Sequence, residues 1–203
     1  HFTLIGLRGG IEGFSAAELD VVTSGYFVGF LSGARYTPAL IRRVGHVRVF
    51  AALGSFMSAG LIAFPLMPEP WTWTLLRVLI GFSMSGIYVT AESWLNDAST
   101  NETRGKVLSA YMIAQTLGII GAQGLLTLGD AATSVLFIGA SILVSVSFAP
   151  ILLSATPVPA TQVARPMGLG TLFRSSPLGT VGIFLLGSIY ATQSGMGAVF
   201  GTQ

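Results

Sequence analysis

The sequence predicts an all-α membrane protein, a bundle of antiparallel helices that cross a bilayer. Charged residues make up 9% of the 203-residue chain against 52% hydrophobic. A soluble domain carries roughly 25% charged residues, so this chain cannot coat a water-facing surface of its own size. Its apolar residues also gather into runs on the order of 20 residues, the length that spans hydrocarbon as a helix. Between two of those runs sits Leu40-Ile41-Arg42-Arg43-Val44-Gly45-His46-Val47-Arg48. A basic loop this short joins two antiparallel helices, and its arginines assign it to the cytoplasmic side.

The runs can be taken in order. His1 to about Phe14 reads as the tail of a first span. Val21 to Ile41 is the second, interrupted only by Arg35, and Val49 to Met67 is an uncharged third that closes at Pro68-Glu69-Pro70. Trp71 to Leu95 is the fourth, with Arg77 and Glu92 toward its two ends. Val107 to Leu128 and Ala131 to Leu153 are uncharged and separated by a turn at Gly129-Asp130. Pro177 to Phe200 is the seventh. Ser154 to Ser176, rich in Pro, Thr and Ala, is the long polar connection and the expected boundary. The expected organisation is therefore a helical unit over 1–153, a cytoplasmic linker over 154–176 and one further span in 177–203. His1 is not an initiator Met and Gln203 closes within an apolar run, so a fragment of a longer membrane protein is expected. No signal-peptide pattern opens the sequence.

Charge placement tests this orientation. With residues 42–48 inside, Arg35, Arg42, Arg43, Arg48, Arg104, Lys106, Arg165 and Arg174 all fall on the cytoplasmic side. Arg8 and Arg77 lie toward the outside, with Glu12, Glu18, Asp20, Glu69 and Asp130. That asymmetry is the one Lys/Arg-rich inner loops produce, and Trp71 and Trp73 stand where an outer aromatic belt is expected. The basic residues act as orientation signals, not as a nucleic-acid surface. A chain without cysteine carries neither a disulfide framework nor a thiolate metal site. No Gly-rich phosphate loop with Lys-Ser/Thr appears, so nucleotide-driven chemistry has no support. Ser83-Met84-Ser85-Gly86 faintly suggests an intramembrane serine protease turn, but the only internal histidine, His46, falls in a loop. Asn101-Glu102-Thr103 is a glycosylation sequon by letter, on the wrong side to be used. No catalytic, cofactor or metal residue is expected, and the chain is not read as an enzyme.

Several motifs together carry a resemblance. Arg43-Val44-Gly45, followed by Arg48, matches the core of a Gly-x-x-x-Asp-Arg-x-Gly-Arg-type loop between a second and third span, with Pro38 and Arg42 at the usual Gly and Asp positions. Arg77 with Gly81 gives an Arg-x-x-x-Gly pair in the fourth span. Asn101-Glu102-Thr103-Arg104-Gly105-Lys106 gives an Arg-Gly loop into the fifth. With Ala91-Glu92-Ser93-Trp94-Leu95-Asn96-Asp97, these make the chain resemble the major facilitator superfamily, closest to a poorly characterised bacterial branch. The resemblance implies an amino-terminal six-helix half plus the first helix of the second half. It also implies a secondary active transporter of a small molecule by alternating access in the inner (plasma) membrane, most simply coupled to protons. The alternative is a non-transporting receptor or assembly subunit that keeps the fold.

Polar residues inside the spans are the candidates for chemistry, because a charge at a helix centre costs roughly 2.5–3.5 kcal/mol on insertion scales. At 100° per residue Arg77, Gly81, Ser85, Tyr88 and Glu92 share one stripe. One reading lines a polar cavity with that stripe, Arg77 and Tyr88 touching substrate. The other has Arg77 snorkel outward and Glu92 pair with a cytoplasmic arginine. Glu92 reads first as a gate, and Arg42, standing where an acid is usual, is expected to pair with Glu92 or Asp97. Arg42, Arg43, Gly45, Arg48, Arg104 and Gly105 complete the gating motifs. Arg8 either pairs with Glu12 on a solvated rim or attracts an anionic substrate, and Arg77 favours an anionic or amphipathic one. Gln115, one turn after Tyr111, and Tyr190 with Gln193 in the last span are further candidate substrate contacts. Gly25, Gly29 and Gly33 form a small-xxx-small stripe for close helix packing, with Gly118, Gly121 and Ala122 a similar device in the fifth span.

Overall fold

Helices account for all regular structure among the described residues. The structure, a computed structural model, describes residues 2–130, 133–153 and 169–200, with side chains except at Phe2, Leu128, Leu169 and 190–200. The elements are α1 (Phe2–Ile11), α2 (Ala16–Val44), α3 (His46–Leu66), α4 (Pro70–Asp97), α5 (Arg104–Leu128), α6 (Val135–Leu153), α7 (Leu169–Ser175) and α8 (Pro177–Phe200). Of these, α3, α4, α5 and α6 are long and apolar enough to cross a membrane. At 29 residues, α2 is about 43 Å long and reaches as far, but Gly25, Gly29, Gly33 and Arg35 dilute its hydropathy. The short α7 was not foreseen and falls in the expected linker, of which residues 154–168 lie outside the described residues.

A capping box starts α2. The Ser15 N–H donates to Glu18 Oε2 at 2.8 Å and the Glu18 N–H donates to Ser15 Oγ at 3.3 Å, which satisfies donors that a helix start leaves open. Hydrogen bonding from the Ser15 side chain, then from its backbone, holds the Glu18 carboxyl below the usual carboxylate range. A carboxyl depressed by folding adds stability above its unfolded value and loses it as pH falls through the folded one. The box is therefore intact at neutral pH and loosens in acid.

One residue, Gly45, separates α2 from α3. It has φ 87° and ψ 162°, a region that a side chain does not tolerate. Its N–H donates to Ile41 O at 2.8 Å and its carbonyl accepts from Val49 N at 3.3 Å. The abrupt reversal expected from the Arg-x-Gly spacing is thus made by glycine alone.

Backbone-to-backbone contact joins α2 to α4. A Cβ placed at Gly25, Gly29 or Gly33 would meet the carbonyl oxygens of Thr74, Val78 and Phe82 in turn, at 2.9 Å for the first and 2.5 Å for the last. The reciprocal position is Gly81, where a Cβ would press on the Tyr26 carbonyl and reach Phe30 N at 3.0 Å. Four-residue spacing on both helices keeps the bare stripes in register, and approach this close recovers dispersion contact that lipid cannot replace. The stripe in α5 behaves otherwise. Among the described residues nothing lies within 4 Å of a Cβ at Gly118 or Gly121, because α5 touches α4 mainly through its first half.

Bulkier groups join α3 to α4 and α6. Ser58 Oγ lies 2.6 Å from Ser141 Oγ and 2.8 Å from Ser145 Oγ, and Ser141 Oγ donates to the Ser58 carbonyl at 3.1 Å. Phe148 covers Gly54 and meets Phe50 at a tilt, with ring centres 4.6 Å apart. At the opposite end from Gly45, Trp73 corrects an expectation. It is completely buried, whereas Trp71 is 76% exposed, so only Trp71 has the exposure of a belt residue. The Trp73 ring meets Phe14 and Phe64 edge-on at 4.9 and 5.2 Å, and its Nε1–H donates to the Phe64 carbonyl at 3.0 Å. That carbonyl would ordinarily accept from the residue four positions on, but this is Pro68, which has no N–H. The indole replaces the missing donor.

Candidate functional site

The stripe expected along α4 divides into two environments. Its outer part faces α2: Arg77, Gly81 and Ser85 are buried, and the Arg77 guanidinium lies 4.8 Å from the centre of the Tyr26 ring. A cation over an aromatic face is attracted to the ring's negative quadrupole, more so where water is excluded. Arg77 is completely buried and therefore does not snorkel outward.

Tyr88 and Glu92, one helical turn apart, emerge from under α2. Tyr88 is half-buried and Glu92 exposed. The adjacent α5 has Arg104, Val107, Leu108, Tyr111 and Gln115 half-buried in its first half, and Gln115 Nε2 donates to the Tyr111 hydroxyl at 3.3 Å. Tyr111 lies within electrostatic reach of both Glu92 and Tyr88. The structure thus brings together Tyr88, Glu92, Tyr111 and Gln115, a carboxylate, two phenols and an amide between otherwise apolar helices. Sequence reasoning gave Tyr111 no role of its own.

The basic turn is organised by a residue the sequence reading passed over. His46 opens α3 and is fully buried. Its Nε2 lies 3.1 Å from Ser93 Oγ and 4.0 Å from Asp97 Oδ2, with its ring beside Trp94. Arg42, Arg43 and Arg48 are exposed instead, and none makes a salt bridge to Glu92 or Asp97 among the described residues. The acid near the end of α4 is met by imidazole, because the turn at Gly45 directs the first side chain of α3 inward and leaves the arginines outside. Ser93→Ala removes the one hydrogen-bond partner of a buried ring. Thermal unfolding in detergent is expected to register a loss of about 1–3 kcal/mol.

The remaining candidates are scattered. Arg8 Nε donates to Glu12 Oε1 at 2.8 Å within one turn of α1. Arg104 and Gly105 open α5, with nothing within 4 Å of a Cβ at Gly105. Tyr190 and Gln193 belong to α8, but their side chains lie outside the described residues. A cavity of about 400 Å³ among α1, α3, α5 and α6 is apolar, Gln123 being its one polar lining side chain. It does not include the Glu92 cluster. No group of three or more metal-ligating side chains occurs among the described residues.

Compared with known families, residues 9–203 match the model of the Major Facilitator Superfamily. The chain belongs to that superfamily. An uncharacterised MFS-type transporter, YcaD, of Salmonella enteritidis PT4 is 34% identical over 101 residues, covering 50% of this chain and 26% of that relative. A second, Ent638_1421 of Enterobacter sp. strain 638, is 32% identical over 121 residues, covering 60% of this chain and 32% of the relative. The matched segments thus span about a third or less of these relatives. No solved structure matches. Membership in the major facilitator superfamily, with several apolar helices, makes the chain part of a multi-pass membrane protein.

Proposed function

We propose that the chain forms part of a secondary active transporter that moves a small molecule by alternating access, coupled to protons. In this reading residues 1–153 belong to the amino-terminal half, 154–176 form the cytoplasmic linker and 177–203 open the second half. Residues 42–48 face the cytoplasm across an inner membrane. The observation that carries the reading is the set of ionisable and polar side chains Tyr88, Glu92, Tyr111 and Gln115 on the adjacent helices α4 and α5. Ionisable and polar groups in membrane helices face a bundle interior or a water-filled path, and they are retained for what they bind. The glycine-spaced contact of α2 with α4 fits a unit that rocks as one body. Arg77, closed over Tyr26, is then a contact that substrate would compete for when the unit changes state.

The test is pH-gradient-dependent flux of a metabolite panel by the full-length protein in proteoliposomes. Flux that collapses with a protonophore, and falls at least tenfold in Arg77→Ala, is the expected result. Absence of any gradient-linked flux would remove the transporter reading in favour of the receptor. Orientation has its own check, helped by a chain without cysteine. In intact cells, Val44→Cys should stay unlabelled by an impermeant maleimide.

A further inference from the structure

We propose that the cavity among α1, α3, α5 and α6 takes one hydrocarbon tail of a membrane lipid, in the leaflet away from the arginine turn. The site is separate from the transport path proposed above and stands or falls without reference to flux. It requires only that the chain spans a membrane.

The cavity runs from the core to the surface of the helices. Its inner wall is made by Leu4, Ile5, Leu61 and Phe137, all buried, and its rim by Leu125, Val135 and Leu143, all exposed. Its depth follows from chain position. The end of α3, the end of α5 and the start of α6 all lie opposite the Gly45 turn. At 1.5 Å per residue, the lining residues of these three helices fall within about 12 Å of that end, at the level of an acyl chain and below a headgroup. Gly139 forms part of the wall, and nothing among the described residues lies within 4 Å of a Cβ placed there. Side-chain bulk at this position therefore meets open space.

Chemistry selects the occupant. Gln123 is the one polar side chain lining the cavity among the described residues, and no acidic or basic side chain lines it. Water needs several polar partners to be held in such a site, which a single amide does not supply. Left empty, the wall atoms forfeit the dispersion contacts that a filled space returns. A charged or strongly polar ligand would leave its own groups unpaired among leucines. A helix is about 10–12 Å across with its side chains, so a volume of about 400 Å³ admits little more than one turn of it. A hydrocarbon tail is slender, gives up no hydrogen bond on entering, and is delivered by the bilayer at the depth of the cavity.

Photolabelling of the full-length protein in liposomes tests the proposal, with a phosphatidylcholine carrying a diazirine midway along one acyl chain as probe. Adducts are mapped by digestion and mass spectrometry. Leu126, Leu136 and Ala140 line the cavity and are half-buried, whereas Ile138, Ile142 and Val146 on α6 are exposed and do not line it. Ordinary contact with bulk lipid labels the exposed set more heavily. The wild type is expected to reverse that order, with adducts on the cavity set at least fivefold above the exposed set. Gly139→Leu, which fills the space, should cut the cavity adducts at least fivefold and leave the exposed set unchanged. Gly139→Ala, a smaller intrusion that guards against a folding defect, should give a partial loss in the same direction. Labelling of the exposed set alone overturns the proposal, since other parts of the full-length protein then fill the space. Cavity adducts that survive both Gly139 substitutions undiminished overturn it as well.

Discussion

Gly29→Ala is expected to destabilise the protein sharply while Gly118→Ala does not. The two substitutions are the same in sequence terms, a helical glycine in a small-residue stripe, and each gains up to about 1 kcal/mol of helix propensity. They differ in what the new methyl meets. At Gly29 it is driven against the Val78 carbonyl on α4, whereas at Gly118 nothing among the described residues lies within 4 Å. Overpacking costs typically about 1–3 kcal/mol, and the upper end applies here because a helix backbone cannot swing aside as a side-chain tip can. The propensity gain is then outweighed at Gly29 and stands alone at Gly118. Thermal unfolding of both variants in one detergent decides it, and equal shifts would mean that α2 and α4 are not in this register. Gly81→Ala, striking α2 from the other side, should behave as Gly29→Ala does.

The second large effect is expected at Trp73. Truncation to Ala removes a completely buried ring from its contacts with Phe14 and Phe64 and should cost about 3–5 kcal/mol. Trp71→Ala, two residues away and mostly exposed, should cost little in detergent. Trp73→Phe separates the two roles of the indole. It keeps most of the aromatic packing but leaves the Phe64 carbonyl without a donor beside Pro68, at a cost of about 1–3 kcal/mol. Stability is again the readout. If Trp71→Ala proved as damaging as Trp73→Ala, the burial assigned to this end of α3 and α4 would be wrong.

Much of the fold was legible because lipid imposes a simple grammar on sequence. Long apolar runs fixed α3, α4, α5 and α6 closely, and the arginines around Gly45 announced the α2–α3 reversal. Pairing was harder. Glycines at 25, 29 and 33 say that something approaches, but the same spacing at 118 and 121 has no neighbour within 4 Å. Spacing measures bareness, not which helix arrives. Arg77 was recognisable as a costly interior charge, yet its partner Tyr26 depends on the register between two helices, which neither helix encodes alone. His46 was lost among arginines. The available signal was its place right after the turning glycine, in phase with Val49 and Leu53, both buried on the same face of α3. Trp73 was read by depth along α4 when Pro68, which silences a donor to Phe64, was the better clue. Tyr88 and Gln115 were legible as polar residues in apolar helices. That they gather with Glu92 and Tyr111 required the approach of α5.

The single-residue hinge at Gly45 also fixes a phase relation. An α-helix advances about 100° per residue, so one inserted amino acid there would rotate all of α3 by more than a quarter-turn relative to α2. His46 would leave Ser93, and Ser58 would leave Ser141, although no contact residue had been altered. The length of this joint is therefore as much a part of the interior as any side chain within it, and indels at position 45 should be more damaging than most substitutions on the helices it connects.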